Sequence, residues 1–183
     1  MGGTFLIQIF GFAYNVRCFI IIIVMSELKK ATFGAGCFWG VEELFRKMNG
    51  VKDTKAGYEG GHLKNPTYED VCTDKTGHAE VVEVTYDPSE VTYEELLKVF
   101  WANHNPTTLN RQGPDMGSQY RSAIFYHDEE QKKIAEKSLA DEMASKRWSS
   151  PIVTSLEQAA TFYRAEDYHQ RYLEKRGLDT CHI

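Results

Sequence analysis

Residues 30–48 read KATFGAGCFWGVEELFRKM, and the pattern changes in the middle of that stretch. Residues 30–36, KATFGAG, are short and close on glycines, which predicts a strand running into a tight turn. Beyond it Phe38, Val41, Leu44, Phe45 and Met48 recur at helical spacing. Cys37 therefore falls at a strand-to-helix turn.

Working outward, residues 51–61 (VKDTKAGYEGG) predict a strand entering a glycine-rich turn. Residues 62–77 (HLKNPTYEDVCTDKTG) carry too many turn formers for regular structure and are expected to be a functional loop. Residues 78–88 (HAEVVEVTYDP) alternate as a buried strand does, and Pro88 closes it. Thr92 caps a helix through residues 93–104, with Glu95 completing the capping box, and Asn105-Pro106 stops it. Residues 105–120 (NPTTLNRQGPDMGSQY) lack periodicity over a length unusual for a connection, which marks a functional or mobile segment. A strand at 120–127, a charged helix from the Asp128 cap through 146, a strand at 151–158 and a short helix at 165–177 complete the chain. The order predicts an α+β domain, a two-layer sandwich with helices packed on a mixed or mostly antiparallel sheet.

At 183 residues, 42% apolar and 26% charged, the chain suits one globular domain, expected over residues 26–183. A net charge of -5 gives no phosphate-binding surface, so no nucleic-acid partner is expected. The four cysteines, Cys18, Cys37, Cys72 and Cys181, form no C-x-x-C pair, and the histidines show no metal spacing, so no metal is expected. So few cysteines point to a reducing compartment, the cytoplasm, and to reactive thiols.

Residues 1–25 stand apart. Residues 18–25 read CFIIIIVM, but Gln8, Asn15 and Arg17 interrupt the apolar stretch before them, short of the roughly 20 apolar residues of a spanning helix. An anchor, a poor signal sequence, or codons ahead of a true start at Met25 are the three readings. The last is preferred, because the soluble pattern begins cleanly at MSELKKATF, and no stable membrane association is expected.

The residues suggest a chemistry. A thiol at the first turn of a helix meets the positive end of the macrodipole and unpaired N–H groups, both of which favour the thiolate. Cys37 is so placed, flanked by Gly34, Gly36 and Gly40, with Phe38 and Trp39 as an apolar wall; a small buried thiol is the plain alternative. Glu80, at the mouth of an apolar strand, is either solvent-facing or a proton donor with a raised pKa. Tyr68 and Tyr120 end turn-rich loops, where phenols can donate to a polarised oxygen or merely pack. Asp115, in GPDMG, could orient a hydroxyl or form a turn. His78 could tune Glu80 or cap the strand, and His104 and His169 fall on predicted helices in ordinary roles.

Together ATFGAGCFWGVE, GY-x-GG, NPTYEDVC, TGHAEVVEVTYDP, FWANHNPTTLNRQGPD, G-x-QYRSAIFY and AEDYHQRYL resemble the class A peptide methionine sulfoxide reductases, in order, over roughly residues 29–176. The resemblance implies a ferredoxin-like core and attack by Cys37 on the sulfur of S-epimer methionine sulfoxide, in proteins or free. It implies that Phe38 and Trp39 cage the substrate methyl and that Glu80 protonates the sulfoxide oxygen. Tyr68 and Tyr120 would hydrogen-bond that oxygen, with Asp115 supporting the polar side. No bound cofactor is implied, only an external thioredoxin-like dithiol, with the protein working as a monomer in repair after oxidative damage. Attack leaves a sulfenic acid that a second thiol must resolve to a disulfide. Cys181, near the terminus, is the candidate and Cys72 the alternative. The chain ends LEKRGLDTCHI, where many bacterial relatives carry a K-N-P-x-G-Y-C type segment, and Met116 stands where they often have Val or His. A cysteine hydrolase or acyl transferase using His78 as base, a peroxide sensor and a peptide-binding module are the competing functions.

Overall fold

The strand that leads to Cys37 is flanked on both sides by partners of opposite direction. In the computed structural model, which describes residues 27–178, β1 (Lys29–Ala35) pairs antiparallel with β3 (Ala79–Tyr86) and with β6 (Ser122–Tyr126). Residues 1–25, Cys18 and Cys181 lie outside the described residues. Strand β2 (Val51–Glu59) pairs antiparallel with the other edge of β3, and β8 (Tyr163–Arg164) pairs with β2. Among the described residues only β7 (Ser155–Gln158) runs parallel to its neighbour, β6, and the sheet order is β7-β6-β1-β3-β2-β8.

Helix α1 (Phe38–Arg46) joins β1 to β2, and α3 (Tyr93–Ala102) joins β3 towards β6. The order β1-α1-β2-β3-α3-β6, with β6-β1-β3-β2 adjacent in the sheet, is the split βαβ arrangement of a ferredoxin-like core. The α+β layering and the mixed sheet expected from the sequence are both present. Long α4 (Glu129–Ala144) starts at the Asp128 cap and lies beside α3 and β6.

Strand parity decides which side chains meet the helices. On β3, Val82 and Val84 join Phe33, Tyr58 and Ile124 in the core beneath α1 and α3, while Ala79 and Val81 join Ala123 and Phe125 on the opposite face. Phe33 is wholly buried, its ring centroid 4.9 Å from that of Phe45 and 5.5 Å from that of Phe100. Truncating such a residue to Ala costs about 3–5 kcal/mol. Glu80 shares the face of Val82, and that puts a carboxyl beneath the start of α1.

Three segments differ from expectation. Residues 62–77 contain a helix, α2 (Tyr68–Cys72), because Thr67 and Asp70 form a capping box that satisfies the first N–H groups. Within 105–120 a small hairpin, β4 (Arg111–Gln112) and β5 (Asp115–Met116), precedes a short 3-10 turn at Ser118–Tyr120. Regular structure in the last segments is shorter than predicted. Strand β7 covers only the end of 151–158, and α5 (Tyr172–Arg176) starts after Arg171, which sits in the left-handed region at φ 50°. His104 and His169 thus lie just outside helices.

Candidate active site

Cys37 is the N-cap residue of α1, half-buried, where β1 turns into the helix. The turn requires glycine before it. Gly36 takes φ 93°, and a Cβ there would fall 2.6 Å from Gln112 Cγ. Gln112 in turn bonds the backbone of Asn105 through both ends of its amide, which binds the β4–β5 loop against the Cys37 turn.

Glu80 lies opposite Tyr58 in the β2–β3 ladder and is 1% exposed. Its Oε2 accepts the Phe38 N–H at 3.1 Å, one residue beyond Cys37. Burial pushes its carboxyl up to about 8; the Phe38 bond opposes this and the charge of Asp115 adds to it. At neutral pH Glu80 is therefore mostly protonated and able to give a proton away.

The two phenols, at the start of α2 and the end of the 3-10 turn, arrive on segments that are tied together. Ser118 N–H donates to Asp74 Oδ1 at 2.8 Å, and Arg121 donates to the carbonyls of Gly77 and Ser118. Burial raises the Tyr120 phenol first, and the charges of Glu80, Asp115, Cys72 and Cys37 push it further, which locates it within electrostatic reach of all four. Burial also raises Tyr68, followed by a hydrogen bond to the Cys72 thiol and the charges of Cys72, Glu80 and Tyr120. Both hydroxyls stay protonated and remain donors. Asp115 is half-buried on β5 and faces this group through its effect on Glu80 and Tyr120.

The apolar pair divides. Trp39 is half-buried, its indole Nε1–H donating to His169 Nδ1 at 2.9 Å and its ring stacked 3.7 Å from that of Tyr172. Phe38 is 1% exposed, packed on Tyr58 and His169, so it stands behind the surface rather than on it. Cys72 is exposed, and partial burial of its thiol with the nearby carboxylates pushes it up, against the Tyr68 bond.

His78 has a structural task. Its Nδ1 accepts the Gly61 N–H at 3.1 Å and its Nε2 donates to the Leu63 carbonyl at 2.8 Å, so neither nitrogen is available as a base for Cys37. His104 is likewise engaged, with Phe100 and Ser122, and burial holds it down at about 4. Among the described residues no cluster of His, Cys, Asp and Glu could hold a metal ion, and no helix is long and apolar enough to cross a membrane.

Sequence reasoning passed over the C-terminal contribution. Glu166 accepts the Tyr58 hydroxyl on Oε2 and the Tyr68 N–H on Oε1, both at 2.9 Å, and so fixes α2 to the sheet. His169 and Tyr172 hold Trp39. The only signal was the density of polar and aromatic residues in AEDYHQRYL.

Fold and site define an α+β enzyme class in which a helix-start thiol sits beside a protonated carboxyl. The model of the family described as peptide methionine sulfoxide reductase matches residues 29–183. The chain is 64% identical over 156 residues to the peptide methionine sulfoxide reductase MsrA of Acidobacterium capsulatum, covering 85% of this chain and 100% of that relative. Among solved structures it is similar to methionine sulfoxide reductase A of Corynebacterium diphtheriae, at 39% identity and TM-score 0.73, covering 85% of this chain and 78% of that one. It is also similar to Mxr1 of Saccharomyces cerevisiae in complex with Trx2, at 29% identity and TM-score 0.51, over 82% and 91% of the two chains. This chain belongs to the peptide methionine sulfoxide reductase family.

Proposed function

We propose that this protein reduces the S epimer of methionine sulfoxide, in proteins and as the free amino acid, with Cys37 as the nucleophile. The observation that carries this is the buried Glu80 carboxyl, which accepts the Phe38 N–H one residue from the thiol and which burial favours in its protonated form. A sulfoxide sulfur resists attack until its oxygen takes a proton or strong hydrogen bonds. Glu80 supplies the proton, which burial keeps on it and the charge of Asp115 helps to keep there, and Tyr68 and Tyr120 donate to the same oxygen. Trp39 meets the substrate methyl, with Phe38 packed behind.

The Cys37 thiolate bonds to the sulfoxide sulfur as Glu80 protonates the oxygen. Transfer of that oxygen as hydroxyl to Cys37 breaks both the sulfur–oxygen bond and the newly formed sulfur–sulfur bond, so methionine leaves reduced and Cys37 becomes a sulfenic acid, oxidised by two electrons. A second thiol displaces water to form a disulfide. Cys181 is the resolver. It follows Leu178 by three residues, a span of at most about 11 Å, and α5 ahead of it is held against Trp39 by the Tyr172 stack. The raised thiol of Cys72, the alternative, is mostly protonated at neutral pH and a weak nucleophile there. A thioredoxin-like dithiol then reopens the disulfide, a reading supported by the neighbour solved with Trx2. No resident cofactor, metal or nucleic acid enters, and the protein acts as a cytoplasmic monomer, in one catalytic domain over residues 26–183, repairing oxidised proteins.

Single turnover without reductant, on separated R and S sulfoxides, tests this. One equivalent of methionine from the S epimer and a Cys37–Cys181 disulfide by mass mapping are expected; turnover of the R epimer, or an unmodified Cys37, would contradict it.

A further inference from the structure

His169 joins Trp39 to the rest of the site and is 1% exposed. Its ring centroid lies 5.0 Å from that of Phe38, 4.6 Å from that of Tyr68 and 4.1 Å from that of Tyr168. An indole N–H can only donate, so the 2.9 Å bond from Trp39 needs Nδ1 bare, and the neutral ring must carry its proton on Nε2. That Nε2 is buried without a hydrogen-bond partner among the described residues and lies 4.0 Å from Glu166 Oε2. The Glu166 oxygens already serve Tyr58 and Tyr68. An imidazolium donates from both nitrogens, so it could no longer accept from Trp39 and would be drawn towards Glu166.

We propose that His169 is a positioning residue: its neutral, Nε2-protonated ring fixes the Trp39 indole at the substrate's methyl side, and protonation releases that indole in favour of Glu166. This rests on the reading above that Trp39 meets the methyl. The charged groups that act on the ring are Glu166 and Glu69, both favouring imidazolium, while Phe38, Tyr68 and Tyr168 present uncharged rings. Burial outweighs the two acids and holds the ring below the usual histidine range. The neutral form therefore prevails at physiological pH and is lost as pH falls. Substrate affinity should weaken on the acid side, independently of Glu80, which loses its proton on the alkaline side.

The test uses the full chain. Trp39 emission, taken as the difference between wild type and Trp39→Phe, is titrated from pH 8 to 5 without substrate, and KM and kcat are measured over the same range. In the wild type, emission should change in one protonation step below the usual histidine pKa, and KM should rise with the same midpoint while kcat changes less than about twofold. His169→Gln keeps an oxygen that can accept from the indole and cannot titrate; its emission should stay flat and its KM at pH 8 should remain within about twofold of wild type. His169→Phe fills the space without an acceptor and should raise KM about tenfold at every pH. Titration of His169→Gln like the wild type, or a wild-type KM in His169→Phe, would overturn the proposal; if the Phe variant does not fold, the comparison of Gln with wild type still decides. Retained sulfoxide reduction by Cys37→Ser would sink the parent reading instead, and it is scored in an assay separate from the emission titration.

Discussion

Two buried carboxylates sit one strand apart, on opposite faces of the sheet. Glu80 faces the helices beside Cys37, paired across the ladder with Tyr58; Glu59, next along β2 and paired with Ala79, faces the other side. Each is 1% exposed and each accepts one backbone N–H, from Phe38 and from Ala160 respectively. Burial raises both, Glu80 to about 8 and Glu59 to about 7. Yet only Glu80 has a thiol next to its hydrogen-bond donor and two phenols within reach. Glu59 has Ala159 and Phe162 on its face of the sheet, with the charges of Glu83 and Glu157 acting on it. A raised pKa marks a buried acid; what surrounds it decides whether the acid does chemistry.

Substitutions should separate the two regions sharply. Cys37→Ser should abolish S-epimer reduction, a loss of at least about ten-thousandfold in kcat/KM, with an unchanged thermal melt; residual turnover at a tenth of wild type would break the contrast at its root. Glu80→Gln should lower kcat/KM about a thousandfold, the scale of a lost general acid, measured by methionine release at pH 7. Tyr68→Phe and Tyr120→Phe should each cost about ten- to a hundredfold, mainly in kcat, because the two phenols share one oxygen. A single variant with wild-type kcat/KM would show that only the other phenol donates.

Glu59→Gln should leave kcat/KM within about twofold of wild type and change stability instead. The folded-state value near 7 lies above the 4.5 of the unfolded chain, so the native state favours the protonated carboxyl. Wild-type stability from this group is highest below about pH 4.5, declines as pH rises to about 7 and is level above that. The variant should escape that decline and melt several degrees higher at pH 8, with an upper bound of about 3 kcal/mol. An equal melting temperature at pH 8 would mean that Glu59 is not buried as an acid.

The sheet-borne half of the site was legible in the sequence. The strand, glycines and helical spacing of residues 30–48 put Cys37 at a helix start, and alternation in residues 78–88 made Glu80 a strand residue, although only the register with β2 settled which face it takes. The loop-borne half was legible as aperiodic segments with tyrosines. Helix α2 went unread because Asn65, Pro66 and Thr67 look like a turn, whereas the Thr67–Asp70 capping box was its signal. The roles of Glu166, His169 and Tyr172 could not be read, since their contacts span about a hundred residues or more of sequence and no local pattern encodes them. Phe38, read as part of an apolar wall beside Cys37, also falls at helical spacing, and its side chain is buried in the core.

The pH dependence of single-turnover reduction bears most directly on the claim that a protonated Glu80 drives attack by Cys37. In the wild type the rate should fall as pH rises through about 8, where Glu80 gives up its proton, and Glu80→Gln should be slow and flat across that range. The same alkaline fall in both proteins would show that another group supplies the proton.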